Sequence, residues 1–199
     1  MEENHSTTRR RLLKAALKRF AEAGYAATSV QDIVSAARVT KPVLYYHFGN
    51  KALLYKALVD HAHDERYRLI LQASERGHTL REQLVEILSA LFDFLTKNRE
   101  VMRLAFATAF AASREIPPEA RLMEKGKRNF EFIHGLIKRA QVSGELCLEV
   151  DSNDLTLAFY GLMNIHVMTY IMTPSTPIDP ETAGRVVDLF LRGAGVRKT

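Results

Sequence analysis

The sequence contains a single cysteine, Cys147, among its 199 residues. One thiol excludes an internal disulfide, and nothing near it in the sequence supplies the partners of a metal site, so we interpret it as a small apolar filler. Long apolar runs are also missing, since none approaches the roughly 18 residues that a membrane span needs. The N-terminal residues lack the apolar segment of a secretory signal. We therefore expect a cytoplasmic protein with no membrane partner.

Motifs of catalysis are missing as well. The chain has no Gly-rich phosphate loop, no nucleophile elbow and no paired carboxylate motif. A metal or acid–base site is suggested only around His61 and Glu65, which lie four residues apart on one helix face. No third ligand follows at a matching spacing, so a solvated helix explains them better. We expect no cofactor, no metal and no enzyme activity, because a helix-bundle enzyme would need several inward carboxylates or histidines.

The alternation of apolar and polar residues that marks a half-buried strand is also missing, whereas helical spacing is present throughout. Leu13, Ala16, Leu17 and Phe20 repeat at intervals of three and four residues in a helix over residues 7–23 that Gly24 ends. Similar spacing predicts an all-α fold of about nine helices. The other predicted helices cover residues 30–37, 41–47, 51 to beyond 71 with a possible break, 80–95, 101–108, 117–142, 155–172 and 180–193.

Positive charge is concentrated at the N-terminus. Residues 1–56 contain ten Lys and Arg against four Asp and Glu, a net charge of +6, and the rest of the chain carries −1. Such a local excess is typical of a nucleic-acid footprint, although a solvated basic face has the same composition.

The first three predicted helices are short, closely spaced and arranged as in a helix-turn-helix. A three-helix bundle without a DNA role would share this pattern. The third helix favours DNA binding, because Leu44 and Phe48 occupy its inward positions while its other face is polar, basic or aromatic. The residues of that outward face are Thr40, Lys41, Val43, Tyr45, Tyr46 and His47.

Several segments within residues 9–58 are typical of one known family. These segments are Gly24-Tyr25, Ala27-Thr28-Ser29-Val30, Asp32-Ile33, the run from Val39 to Phe48, and Lys51. Through them the chain resembles the TetR-type bacterial regulators, whereas the rest of the chain agrees only in length and helical order. The resemblance implies a homodimer that binds a near-palindromic double-stranded DNA operator. It implies phosphate contacts by Thr28, Thr40, Tyr46 and Lys51, and base contacts by Lys41, Val43 and Tyr45.

Arg38 departs from the pattern of similar sequences, which usually have glycine in this turn. Glycine is favoured where the backbone adopts a positive φ, and another residue there costs roughly 1 kcal/mol. Either the turn is built differently, or the strain is tolerated and the guanidinium reaches a phosphate, and we favour tolerated strain.

The C-terminal part is expected to bind an effector and to dimerise. The helix over residues 155–172 is apolar nearly all round, so it must be covered on several sides. We expect it to pair with its symmetry mate together with Val186, Val187 and Phe190 of the final helix, and its other face to line a mostly apolar pocket. The predicted polar and aromatic residues of the pocket are Arg103, Phe106, Phe130, His134, Tyr160, Asn164 and His166.

Two functions compete at this point. The favoured one divides the chain into a helix-turn-helix domain over residues 1–50 and a larger helical domain for effector binding and dimerisation over residues 51–199. Such a protein would be a regulator, most simply a repressor that a small, largely apolar molecule releases from its operator. The alternative is a helical carrier of small molecules or lipids without DNA binding, which would leave the composition of the third helix unexplained.

Overall fold

The computed structural model describes residues 2–112, 115–120 and 124–194, with side chains for all of these except residues 2–5 and 194. Within this part of the chain there are nine α-helices, one short 3-10 turn at Pro118–Ala120 and no strand, which confirms the predicted all-α class. The helices are α1 (Glu2–Ala27), α2 (Val30–Ala37), α3 (Lys41–Phe48), α4 (Lys51–Ser74), α5 (Leu80–Lys97), α6 (Arg99–Phe110), α7 (Glu124–Val142), α8 (Ser152–Met172) and α9 (Pro180–Ala194).

Helix ends fall where the sequence provides caps. Gly24 interrupts α1 with φ 79° and ψ 169°, a conformation open mainly to glycine. Ser29 caps α2 in a reciprocal capping box with Asp32, whose amide donates to the Ser29 hydroxyl while the Ser29 amide donates to its carboxylate. Hydrogen bonds from the Ser29 side chain and backbone lower the pKa of Asp32. The Asp151 side chain caps α8 by accepting from the Asn153 amide.

Several helix boundaries differ from the prediction, most of all the start of α7. The predicted helix over 117–142 begins only at Glu124, because Pro118 opens a single 3-10 turn that ends at Ala120. Residues 121–123 lie outside the described part of the chain. The possible break in the helix after Lys51 is absent, since α4 continues to Ser74.

The helices are grouped into two compact units. The first comprises Met1–His63 and Arg99–Met123, so it includes the first half of α4 and all of α6 besides the three N-terminal helices. The second comprises Asp64–Asn98 and Glu124–Thr199. A functional boundary near residue 50 stays a prediction.

The first unit is built around side chains from several of its helices. Leu12, Ile33, Leu44 and Leu54 are fully buried, which joins α1, α2, α3 and the start of α4 in one core. Burying such aliphatic side chains stabilises the unit by about 1.5–3 kcal/mol each. The two inward residues predicted for α3, Leu44 and Phe48, are both buried, which confirms their orientation.

A buried hydrogen bond joins α4 to α6 within this unit. The Thr108 hydroxyl donates to the carbonyl oxygen of Leu104, at 2.7 Å. A hydroxyl has one proton, so the Tyr55 hydroxyl, also 2.7 Å away, must be the donor to Thr108 Oγ1. The Tyr55 ring lies edge-on to those of Phe20 and Tyr25, at 5.0 Å between centroids in both cases.

The second unit packs α5, α7, α8 and α9 around one apolar core. Leu84 and Leu88 of α5 are fully buried, as are Ile137 of α7 and Phe159 of α8. Phe159 meets Phe190 of α9 in an edge-to-face contact with 5.5 Å between ring centroids. The second unit therefore has a core of its own.

The residues of α9 that were expected to form a dimer interface are buried within the chain. Val186, Val187 and Phe190, which we expected to pair with a second copy, are at most 4% exposed inside a single chain. The apolar residues of α8 that remain exposed follow a helical spacing along one side instead. This α8 stripe consists of Leu157, Ile165, Met168 and Met172.

By length and composition alone α8 also qualifies as a membrane span, contrary to the expectation from the sequence, but the core helices of soluble proteins pass the same test.

We expect Tyr55→Phe to lower the free energy of unfolding by about 1 kcal/mol, because it removes the donor to the buried Thr108 hydroxyl and leaves the rings in place. Urea denaturation followed by circular dichroism measures the effect. Tyr45→Phe is the matched control, since the Tyr45 side chain is 47% exposed. Equal stability of Tyr55→Phe and the wild-type protein would contradict this role.

Candidate DNA interface and effector residues

Helix α3 presents most of the predicted DNA contacts to solvent. Lys41 is exposed in its first turn, and Tyr45 and Tyr46 are 47% and 78% exposed. Adjacent exposed aromatic side chains are a feature of binding surfaces. Val43 and His47 are half-buried at the borders of this face.

Thr40 precedes α3 at the N-cap position with extended backbone, φ −98° and ψ 161°. Its exposed hydroxyl makes no capping bond to the helix. The first amides of a helix attract anions, and a hydroxyl beside them adds a further donor. This arrangement suits a DNA phosphate.

The turn between α2 and α3 contains the left-handed residue that the sequence indicated. Arg38 has φ 53° and ψ 50° and is the only non-glycine with positive φ among the described residues. Its amide contacts the carbonyl oxygens of Val34 and Ser35, and the Val39 amide donates to Val34 at 3.0 Å. These bonds close the C-terminus of α2 as glycine usually does. The strain is therefore real and tolerated.

Arg11 of α1 fixes this turn from outside. Its Nη2 donates to the carbonyl oxygens of Ala37, at 2.6 Å, and Arg38, at 3.2 Å. Carbonyls at a helix C-terminus lack partners within the helix, so a guanidinium there both completes hydrogen bonds and compensates the helix dipole. No role for Arg11 was predicted from the sequence.

Beside the turn lies a basic cleft of about 580 Å³ between α1 and the end of α2. Its lining includes Ala15, Ala36 and Ala37 and no acidic residue. The spacing of three and four residues along α1 could have revealed this row of cations from the sequence. The basic residues of the cleft are Arg11, Lys14, Lys18, Arg19 and Arg38.

Thr28 was predicted to contact a phosphate, but the structure buries it. Its side chain is 2% exposed, and the hydroxyl contacts the carbonyl oxygens of Gly24, at 2.8 Å, and Arg19, at 3.2 Å. Contrary to the prediction, the hydroxyl therefore faces the end of α1 and not the solvent. These contacts connect Thr28 to the part of α1 that precedes the break at Gly24.

Lys51, the first residue of α4, also forms hydrogen bonds to the end of α1. Its Nζ donates to the carbonyl oxygens of Thr28, at 2.8 Å, and Tyr25, at 3.0 Å, and lies 4.2 Å from the centroid of the Tyr25 ring. Partial burial lowers the pKa of Lys51. An ammonium has three protons, so one remains for the predicted phosphate contact.

The residues predicted to bind an effector are divided between the two units. Arg103, which is exposed, and Phe106, whose ring lies 6.1 Å from that of Phe110, belong to the first. Asn164 and His166 belong to the second, where His166 Nδ1 contacts the Leu162 carbonyl oxygen at 2.7 Å.

Three of the predicted effector residues come together in the second unit. The Phe130 ring contacts those of Tyr160 and His134, with 5.4 and 6.1 Å between centroids. His134 Nε2 is 2.8 Å from the Ser152 hydroxyl. An aromatic cluster with a few polar atoms is the usual lining of a small-molecule site.

A short exposed helix behind a tight turn, with basic and aromatic side chains on its outer face, defines a helix-turn-helix DNA-binding protein. Residues 12–58 match the model of the bacterial regulatory proteins of the tetR family. Residues 12–58 are therefore a DNA-binding domain of the TetR type, and the chain is a transcriptional regulator.

Relatives resemble the chain over most of its length. The transcriptional activator FasR of Mycolicibacterium smegmatis is 28% identical over 177 residues, which cover 88% of this chain and 77% of FasR. The transcriptional repressor BepR of Brucella suis is 28% identical over 146 residues, covering 71% and 70% of the two chains. The crystal structure of PfmR from Thermus thermophilus superposes with a TM-score of 0.76 at 26% identity, covering 94% of this chain and all of that one.

We expect Arg38→Gly to raise stability and lower DNA affinity together. Glycine relieves the left-handed strain, which is worth about 1 kcal/mol, while loss of the guanidinium removes a phosphate contact. Arg38→Ala is the control, because it loses the charge and keeps the strain. The two variants should bind DNA equally weakly but differ in urea denaturation. An unchanged DNA affinity in both would exclude a phosphate contact by Arg38.

Proposed function

We propose that this protein is a dimeric repressor that acts in the cytoplasm on a near-palindromic operator and is released from it by a small, largely apolar effector. The outer face of α3 is the observation that carries the proposal. Lys41, Tyr45 and Tyr46 are exposed there beside a turn that contributes a further cation, Arg38. A carrier without DNA binding would have no use for this surface.

The proposed contacts divide into two classes. Lys41, Val43 and Tyr45 read base edges in the major groove, since a lysine suits guanine and a valine the thymine methyl group. Thr40, Tyr46 and the remaining proton of Lys51 contact phosphates, with His47 at the border of the interface. The Thr28 hydroxyl is left out of this set because it is buried and bonded within the protein.

Helix α4 supports the proposed release mechanism. It is continuous from Lys51, which is bonded to the end of α1, to Ser74, and it passes Asp64, where the second unit begins. A pivot of α4 on effector binding would therefore displace the reading head, which consists of α2 and α3. Two heads must lie about 34–36 Å apart to enter successive major grooves, so a small displacement is enough to lose register.

The exposed α8 stripe supports the proposed dimer. Leu157, Ile165, Met168 and Met172 form one apolar row on a helix whose other side is already packed in the core. The occupant we propose is a second copy of the same helix, because a two-fold axis lets one apolar row cover its own equivalent. Relatives of the family act as dimers, which agrees with this choice.

We expect salt-sensitive binding to DNA with a sequence preference that depends on Tyr45. About six neutralised phosphates would give a slope near −5 in a plot of log affinity against log salt concentration. Selection from a random duplex pool, followed by fluorescence anisotropy, measures both properties. Tyr45→Ala should change the selected sequence, whereas Arg38→Ala should weaken all sequences alike. Absence of binding to every duplex at low salt would refute the proposed function.

We expect Ile165→Glu to convert the dimer into a monomer, since a carboxylate in the middle of the α8 stripe would be buried against its symmetry mate. Light scattering coupled to size-exclusion chromatography measures the mass. Val142→Glu is the matched control, because Val142 is 88% exposed and lies on α7, outside the stripe. A dimer of unchanged stability in Ile165→Glu would place the interface elsewhere.

A further inference from the structure

Arg66 of α4 is a cation without an anionic partner in the described part of the chain. Its side chain is half-buried, and its Nε is enclosed with no hydrogen-bond partner. Its guanidinium donates to the Met163 sulfur, 3.4 Å from Nη2, and lies over the Tyr160 ring, 5.2 Å from the guanidinium carbon to the centroid. A guanidinium cannot lose its proton, so its partial burial without a counter-charge is unfavourable.

The neighbouring charges are already paired with one another. Arg128 donates to one carboxylate oxygen of Asp64 at 2.9 Å, and Lys125 donates to the other. Partial burial would raise the pKa of Asp64, but these two hydrogen bonds outweigh it and lower the pKa. Asp64 therefore stays ionised and is shared by two cations, neither of which is Arg66.

Tyr160 provides a second unused donor at the same place. Its hydroxyl oxygen is enclosed and has no hydrogen-bond partner, although buried hydroxyls are normally bonded. Burial raises the pKa of Tyr160 in spite of the nearby Arg66 charge, so the phenol keeps its proton at neutral pH. The ring packs against Phe130. Two unused donors thus adjoin an apolar wall formed by Phe130 and Met163.

We propose that this Arg66 cluster, composed of Arg66, Phe130, Tyr160 and Met163, binds an amphipathic oxyanion. The anionic oxygens of such an effector accept hydrogen bonds from Arg66 and Tyr160, and its apolar body lies against Phe130 and Met163. The inference rests on the proposed function in taking this cluster as the effector site. It goes further in excluding neutral and cationic effectors.

The first test compares four probes that share a ten-carbon chain: decanoate, decyl phosphate, decanol and decyltrimethylammonium. Each is titrated into the full-length protein by isothermal calorimetry below its micelle concentration. At least one oxyanion should bind about ten-fold or more tightly than the alcohol, because charge-assisted hydrogen bonds to Arg66 are lost in the latter. The difference between decanoate and decyl phosphate identifies the oxyanion. Equal binding of alcohol or ammonium, or binding of none, would overturn the inference.

The second test uses variants. Arg66→Met and Tyr160→Phe should each reduce the preference for the oxyanion, and Arg66→Met should raise the melting temperature of the ligand-free protein by removing an unpaired charge. Arg68→Met is the matched control, since Arg68 is exposed and paired with Glu65. A merely structural arginine would instead lower the melting temperature when replaced. Retention of the full preference in Arg66→Met would refute the assignment.

A third measurement separates this inference from the proposed function. The DNA affinity of the protein is measured by anisotropy with and without the best oxyanion. An oxyanion that binds through Arg66 and leaves DNA affinity unchanged supports the ligand class and contradicts effector-controlled release. DNA binding by a protein that shows no preference for oxyanions contradicts the ligand class and leaves the DNA-binding part of the proposal intact.

Discussion

Two cations that contact the ends of helices determine the geometry of the reading head. Lys51, the first residue of α4, donates to the carbonyl oxygens that follow the break in α1, and Arg11 of α1 donates to those that end α2. Carbonyls at these ends have no partner within their own helix, so each cation donates hydrogen bonds that water would otherwise have to provide. Together they connect α4 to α1 and α1 to α2 over 23 to 27 residues of sequence. The orientation of α3 follows, because it lies between the two fixed ends.

Local features of the fold could be predicted from the sequence, and features that depend on distant contacts could not. The inward face of α3 and the positive φ of Arg38 follow from periodicity and turn chemistry, which act over a few residues. The bonds of Thr28 and Lys51 depend on how the end of α1 meets the start of α4. The helical periodicity of α9 also could not show whether Val187 packs in the core of its own chain or against a second copy, because a core and a dimer interface both require an apolar residue.

The proposed effector site around the Arg66 cluster could be predicted from the sequence only in part, for a related reason. Phe130, Tyr160 and His134 were selected as aromatic or polar residues among apolar ones, and the structure brings them together. Arg66 was missed because its significance lies in what surrounds it. Lys125 and Arg128 share the carboxylate of Asp64, Arg66 is paired with no carboxylate in the described part of the chain, and only the three-dimensional arrangement shows this. The proposed DNA surface and the Arg66 cluster then have a common chemistry, since each presents an arginine, Arg38 or Arg66, that lacks an anion within the described part of the protein.

The α8 stripe has a consequence for how much of the protein a cell must contain. On the proposed dimer, a single protomer offers one reading head, and full operator affinity requires two. When protomers are scarce, the concentration of dimers rises with the square of their number, so operator occupancy responds steeply to copy number. Dilution of the protein by cell growth without new synthesis would then lower operator occupancy, as an effector does, without any small molecule. In the proposed dimer, an apolar row of four side chains on one helix would thereby couple gene expression to the amount of the regulator in the cell.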